Sequence, residues 1–280
     1  MREPATIEEL KRPQPILTII IPVYNAERTI RRCLESLEGQ VNEKVQVIII
    51  DDCSTDNSIE IMSEFGMIVS DWRFNEPNGG VSFSRSRGLR LAEGKYVTFL
   101  DSDDELAPNA VEIMCNAALV AEQRNLPIVQ FNHARKYEGI DALQHKYDNS
   151  AGYYPLSNLP NRWCFVWNKI YSQSFLSKHG IFFRDGIQFG EDELFNLDCL
   201  KYCEGITCSQ AVTIIKHFDN PDSLCHKVNK DSLIRLTCEL MDYLKRNTNT
   251  TRQFKAAVRA TIAEHWESKL YKQMFGGERS

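Results

Sequence analysis

No apolar run in this chain of 280 residues approaches the roughly 18 needed to cross a bilayer. Positive charge is not in excess. Thirty-three Lys and Arg stand against 38 Asp and Glu, a formal −5, which disfavours a nucleic-acid partner. There is no Cys-x-x-Cys pair. The nine cysteines are an odd number without regular spacing, so free thiols in a reducing cytoplasm are expected rather than a disulfide framework. Cys199, Cys203 and Cys208 come nearest to a zinc-like spacing, but buried small apolar residues describe them better. Histidine is scarce, at six. No internal repeat and no low-complexity segment occurs. Residues 1–15 are polar, hold Pro4, Pro13 and Pro15, and lack the apolar core of a signal peptide, so they read as a loose tail.

What the chain does have is apolar strands that end in carboxylates. Leu17 to Val23 is a near-continuous apolar run, as in a strand buried on both faces. Tyr24-Asn25-Ala26 follows, then a helical pattern from Glu27 to Leu37. Val45 to Ile50 is a second run, ending in Asp51-Asp52-Cys53-Ser54-Thr55-Asp56, where Ser54 or Asp56 can cap a helix carrying Ile59, Met62 and Phe65. Met67 to Val69 reads as a third strand. Asn78-Gly79-Gly80 makes a turn before a helix from Ser82 to Ala92. Lys95 to Leu100 is the fourth strand, running into Asp101-Ser102-Asp103-Asp104. Alternating strands and helices imply an α/β fold with a mostly parallel, Rossmann-like sheet and helices on both faces. Ligands in such sheets bind beyond the carboxyl ends of the strands, so the three polar clusters should line one crevice. Carboxylates at i and i+2 on a turn suit a hard cation such as Mg²⁺ or Mn²⁺.

The set Pro22-Val23-Tyr24-Asn25, Asp51 to Asp56, Asn78-Gly79-Gly80 to Arg85, Asp101 to Asp104 and Glu191-Asp192 resembles the family-2 glycosyltransferases of the GT-A fold, over about residues 16–225. One departure stands out: the chain reads Ser84-Arg85-Ser86-Arg87-Gly88 where the family often has Ala-Arg-Asn-x-Gly. The resemblance implies a nucleotide-sugar donor, with a UDP-sugar favoured, a glycan or lipid-linked acceptor, and a setting in bacterial surface polysaccharide or glycan assembly. It implies a donor site drawn from Pro22, Tyr24, Asn25, Glu27, Asp51, Asp52, Asn78, Arg85, Asp101 and Ser102. Asp103 is expected as the direct Mn²⁺ or Mg²⁺ ligand, with Asp101 on the ribose or a metal-bound water. Asp51 or Asp52 would accept a base N–H, Tyr24 would meet the ring, and Arg85 would offset the diphosphate charge. His217 or His226 could complete the metal shell.

A sugar hydroxyl has a pKa far above seven, so transfer needs a base. The family's Glu-Asp pair falls on Glu191-Asp192, with Asp192 the expected base and inversion by single displacement the expected course. Trp163, Trp167 and Lys169 lie in an aromatic-rich run; a Trp there is either an acceptor platform or core packing. A nucleotidyltransferase is the rival reading, but it wants a Gly-rich phosphate loop with Lys near the first strand, and Tyr24-Asn25-Ala26-Glu27 is not one. A catalytically inactive nucleotide-sugar-binding module is the other alternative, and the intact carboxylates oppose it.

The chain is thus divided into the tail (1–15), a catalytic domain (16–228, donor half about 16–105, acceptor half about 106–228) and a helical extension (229–280). In the extension Phe254, Val258, Ile262, Trp266, Leu270 and Met274 form one helical stripe from about Thr251 to Met274. Packing on the catalytic domain is expected. A peripheral contact with the inner face of an anionic membrane, or a homodimer contact, are the alternatives.

Overall fold

The computed structural model describes residues 13–137, 144–145, 149–160, 163–187, 189–218, 230–247 and 249–267. In chain order the elements are β1 (Leu17–Val23), α1 (Ile30–Glu35), β2 (Val45–Asp51), α2 (Ser58–Ser63), β3 (Asp71–Phe74), α3 (Gly80–Leu91), β4 (Tyr96–Phe99), β5 (Glu105–Leu106) and α4 (Ala110–Gln123). There follow β6 (Ile128–Lys136), β7 (Gln144–His145), β8 (Gly152–Pro155), β9 (Lys169–Ser172), α5 (Gln173–His179), α6 (Glu191–Leu200), β10 (Gly205–His217), α7 (Lys230–Arg246) and α8 (Arg252–Glu267).

One sheet runs in the order β3-β2-β1-β4-β9-β6-β10-β5, with β7 beside β6 and β8 beside β10. The β3, β2, β1 and β4 half is parallel throughout. β9 is inserted antiparallel between β4 and β6, and β6 pairs parallel with β10. Every residue of β1 and β2 is buried, as their unbroken apolar runs require. The period of two divides β1 between two cores. Ile19 and Ile21 join α1, α2 and α4 on one face, while Ile20 joins α3, α5, α6, α7 and α8 on the other. Gly88 of α3 lies so close to β1 that a Cβ there would meet Ile20 Cγ2 at 2.4 Å.

The third strand lies at Asp71–Phe74, not at Met67 to Val69. Met67 is 99% exposed on the turn, and pairing starts only once the Ser70 N–H reaches Val47 O at 2.8 Å. β6 runs on past His133 to Lys136, and β7 and β8 pair with β6 and β10.

Among the described residues no helix is long and apolar enough to cross a membrane. None of the described cysteines is disulfide-bonded. Cys199 and Cys208 pack in the second core as small apolar groups.

Candidate active site

The ends of β1 and β2 brace one another. Pro22 in β1 has no N–H to carry the ladder further. By the period of two its nitrogen faces β4, and pairing there ends with the Leu100 N–H on Ile20 O. Asn25 takes a left-handed backbone (φ 47°), and its Oδ1 accepts from Thr55 N at 2.8 Å. Glu27 Oε2 accepts from Asn57 N and Nδ2 at 3.2 and 3.0 Å, while the Glu27 N–H donates to Asp56 Oδ2 at 2.9 Å. Asn25 and Glu27 are therefore spent on the loop itself. Tyr24 is 54% exposed.

Asp51 and Asp52 are both buried but differ in what they can still accept. Asp52 takes bonds from Asn75 Nδ2 (2.7 Å), Gly79 N (2.9 Å) and Gly80 N (2.7 Å), and its carbonyl takes Asn78 Nδ2 at 2.8 Å. It is committed to holding the Asn78-Gly79-Gly80 turn, where Gly80 has φ +82°. Asp51 accepts from Ser54 N on Oδ2 at 3.0 Å, whereas its Oδ1 is buried without a partner among the described residues. A buried acceptor left unsatisfied is costly and marks a place for an incoming donor.

Beyond β4, one oxygen from each of Asp101, Asp103 and Asp104 lies within 4.8 Å of the others. This all-oxygen donor set fits Mg²⁺ or Mn²⁺ chemically. Ser102 sits in the same turn. Basic side chains already touch this turn, and Arg32 Nη2 donates to the Asp103 carbonyl oxygen at 2.9 Å. Arg85 Nη2 donates to Asp101 Oδ1 at 2.8 Å. Lys216 Nζ donates to Asp104 Oδ2 at 2.6 Å and to Asp101 Oδ2 at 3.2 Å. Burial raises the Asp101 carboxyl, but Lys216 and Arg85 outweigh it and bring it down to about 2. Asp104 is fully buried, and burial pushes it up to about 8 against the pull of Lys216, with Asp103 and Asp101 adding to the rise. Burial opposes the Lys216 charge, yet Asp104, Asp101 and Asp103 hold it well above its ordinary value.

Arg85 is 4% exposed and binds the other side of the crevice as well. Its Nη1 donates to Asp192 Oδ1 at 2.7 Å and to Glu191 Oε1 at 3.0 Å. The guanidinium thus spans the strand-end cluster and the start of α6, and it is these carboxylates that it neutralises in this state. Asp192 Oδ2 also accepts from Val166 N at 3.2 Å. Burial raises the Asp192 carboxyl, opposed chiefly by Arg85. Burial and the adjacent Asp192 bring Glu191 up to about 7. Both side chains keep an opening to the crevice, 13% for Glu191 and 15% for Asp192. Ser86, at the departure from the family pattern, is buried and donates to Phe183 O at 3.2 Å.

The aromatic run packs inward. Trp163 and Trp167 are 8% and 6% exposed and belong to the two cores, with Trp167 stacked on Phe165 at 5.2 Å. Their faces are covered, as core packing requires, and offer no platform here. Lys169 is 1% exposed, with its ammonium on Asn168 Oδ1 at 2.8 Å and on Phe165 O, and burial lowers its pKa to about 7. His217 Nε2 lies 2.7 Å from Glu105 Oε1, which turns its ring to that carboxylate, and its N–H donates to Asp104 Oδ1 at 3.1 Å. His226 lies outside the described residues. Sequence reasoning missed Lys216. The available signal was a cation directly before His217 at the end of a long strand, but its contact with residues more than a hundred positions away has no local pattern.

A model of glycosyl transferase family 2 matches residues 18–178. The chain is 30% identical over 190 residues to EpsH of Bacillus subtilis (strain 168), by name a glycosyltransferase, covering 65% of this chain and 55% of EpsH. It is 41% identical over 117 residues to the uncharacterized glycosyltransferase YibD of Escherichia coli (strain K12), covering 41% of this chain and 33% of YibD. The chain thus spans about half or less of the length of these curated relatives. Among solved structures, S. aureus TarS 1-349 in complex with UDP-GlcNAc superposes with a TM-score of 0.77 at 21% identity, over 94% of this chain and 76% of that one, a likeness of fold.

Proposed function

The chain belongs to glycosyl transferase family 2, and on that footing we propose that it moves a sugar from a nucleoside-diphosphate donor to a hydroxyl acceptor, with inversion and with help from a divalent cation. The observation that carries this reading is the convergence, through one guanidinium, of a cation-binding carboxylate (Asp101) with a carboxylate pair at a helix start (Glu191, Asp192). Donor-side and acceptor-side chemistry then share one crevice.

Each group has a role that its surroundings allow. The partnerless Oδ1 of Asp51 accepts an N–H from the base, beside the open ring of Tyr24. Uracil offers such an N–H, and a UDP-sugar is the donor we favour; TarS, of the same fold, is known in complex with UDP-GlcNAc. Asp103 and Asp101 would hold Mn²⁺ or Mg²⁺, which when bound supplies positive charge against the departing diphosphate. Asp192 takes the proton of the acceptor hydroxyl as the new bond forms, and Arg85 fixes its Oδ1 and orients it. Its upward shift serves this task, because a base works best with a pKa near the working pH. Glu191 orients the acceptor beside it. A glycan or lipid-linked acceptor in surface polysaccharide assembly, met on the cytoplasmic side of the membrane, is the setting we favour.

The test is Asp192→Asn, which keeps the shape and removes the base. Transfer should fall by roughly a hundredfold or more, with UDP affinity by calorimetry little changed, and proton NMR of the wild-type product should show inversion. Near-normal transfer by the variant, or a retained configuration, refutes the single-displacement reading.

A further inference from the structure

Lys216 stands against two of the three carboxylates that could hold a metal. Its ammonium is 2.6 Å from Asp104 Oδ2 and 3.2 Å from Asp101 Oδ2, and both residues belong to the Asp101, Asp103, Asp104 cluster. Arg85 occupies the other oxygen of Asp101. An incoming divalent cation can take an oxygen of Asp101 or Asp104 facing Lys216 only if the ammonium withdraws, because two cations cannot share that space without strong repulsion. The backbone around Lys216 is fixed. The next N–H, that of His217, donates to the same Asp104, and β10 pairs with β6 through Lys216 and Arg135. Only the side chain is left to move. It has a flexible four-carbon stem and a point charge with three donors, and it is 18% exposed, with Trp167 at 5.1 Å on one side.

We propose that Lys216 is a gate on the cation site: its ammonium holds the Asp101 and Asp104 oxygens in the free protein, yields them to the divalent cation, and then binds the diphosphate of the donor. This deepens the nucleotide-sugar reading and rests on it for the last step. The gate makes the metal site weaker without nucleotide and stronger with it, because a diphosphate offers the displaced charge a new partner.

Two measurements test it. In the first, Mn²⁺ alone is titrated by electron paramagnetic resonance and UDP by calorimetry at saturating Mn²⁺, on wild type, Lys216→Gln and Lys216→Arg. Lys216→Gln should bind free Mn²⁺ at least about tenfold more tightly, since a competing unit charge is gone, and UDP about tenfold more weakly. Lys216→Arg, which keeps the charge, should stay near wild type in both. In the second, which needs no variant, acetylation of Lys216 by an N-hydroxysuccinimide ester is followed by mass spectrometry. Mn²⁺ alone should speed the labelling and Mn²⁺ with UDP should slow it again. Equal Mn²⁺ affinity in wild type and Lys216→Gln, weaker Mn²⁺ binding in Lys216→Gln, or Lys216 labelling indifferent to Mn²⁺ would each overturn the gate. Absence of UDP binding in all three proteins would instead overturn the donor reading, and the Mn²⁺ titration would still decide the competition.

Discussion

Adjacent aspartates at the end of β2 differ in what they can still accept. Asp52 spends its oxygens on Asn75, Gly79 and Gly80, while Asp51 keeps Oδ1 without a partner among the described residues. Asp51→Ala should therefore weaken UDP binding at least about tenfold, the scale of one lost hydrogen bond to a charged group, while the melting temperature stays within a few degrees. Asp52→Ala should lower stability, because the turn loses several bonds to a carboxylate, and calorimetry beside thermal melts separates the two outcomes. Lys169 makes a different prediction. Its pKa is lowered from 10.5 to about 7 by burial, so between those values the unfolded chain binds a proton that the folded chain does not. Stability should then rise with pH across that window, by up to about 1.4 kcal/mol per pH unit from this residue. Urea unfolding at pH 7 and pH 9 should show the rise in wild type and a flatter response in Lys169→Met.

At the scale of elements, the start of α6 shows how the Glu191-Asp192 pair is aimed. Gly190 precedes the helix with φ +81°, a left-handed conformation that costs a side chain roughly 1 kcal/mol or more. A Cβ there would also meet Leu236 Cδ1 of α7 at 2.4 Å. Backbone strain and close approach coincide at the residue just before Glu191 and Asp192. Gly190→Ala should cost about 1–3 kcal/mol in unfolding and slow transfer more than it weakens UDP binding, since Gly190 sets the direction of Glu191 and Asp192 and not that of Asp51 at the end of β2. Equal loss of donor affinity and turnover would contradict that separation.

Across the whole molecule, α7 and α8 complete the second core. Phe254 and Val258 are 1% and 0% exposed, Ile262 packs beside them, and Tyr243 donates to Asp198 of α6 at 2.8 Å. This part of the C-terminal stripe is packing. The side chains of Trp266, Leu270 and Met274 lie outside the described residues. Phe254→Ala should destabilise the protein by about 3–5 kcal/mol, read by chemical denaturation. Removal of residues 251–280 should give insoluble or unfolded protein; a folded product that loses only vesicle binding would support the membrane alternative.

The sequence alone determined the parallel first half of the sheet, the carboxylates at its strand ends and the family. Apolar runs, turn residues and i, i+2 carboxylates are local patterns, fixed by backbone geometry within a few residues. The place of β3 slipped because an edge strand of four half-exposed residues has little apolar signal, whereas pairing with β2 decides where it starts. What sets Asp52 apart from Asp51 is hydrogen bonds from residues more than twenty positions away, which have no local pattern. Trp163 and Trp167 stayed open as platform or core, since burial depends on what the fold brings against them. Only the tertiary structure set Arg85 between Asp101 and Asp192, and Lys216 among the cation-site carboxylates. These contacts cross sixteen to 115 positions of chain, and Coulomb attraction acts on distance in space, to which sequence spacing is blind.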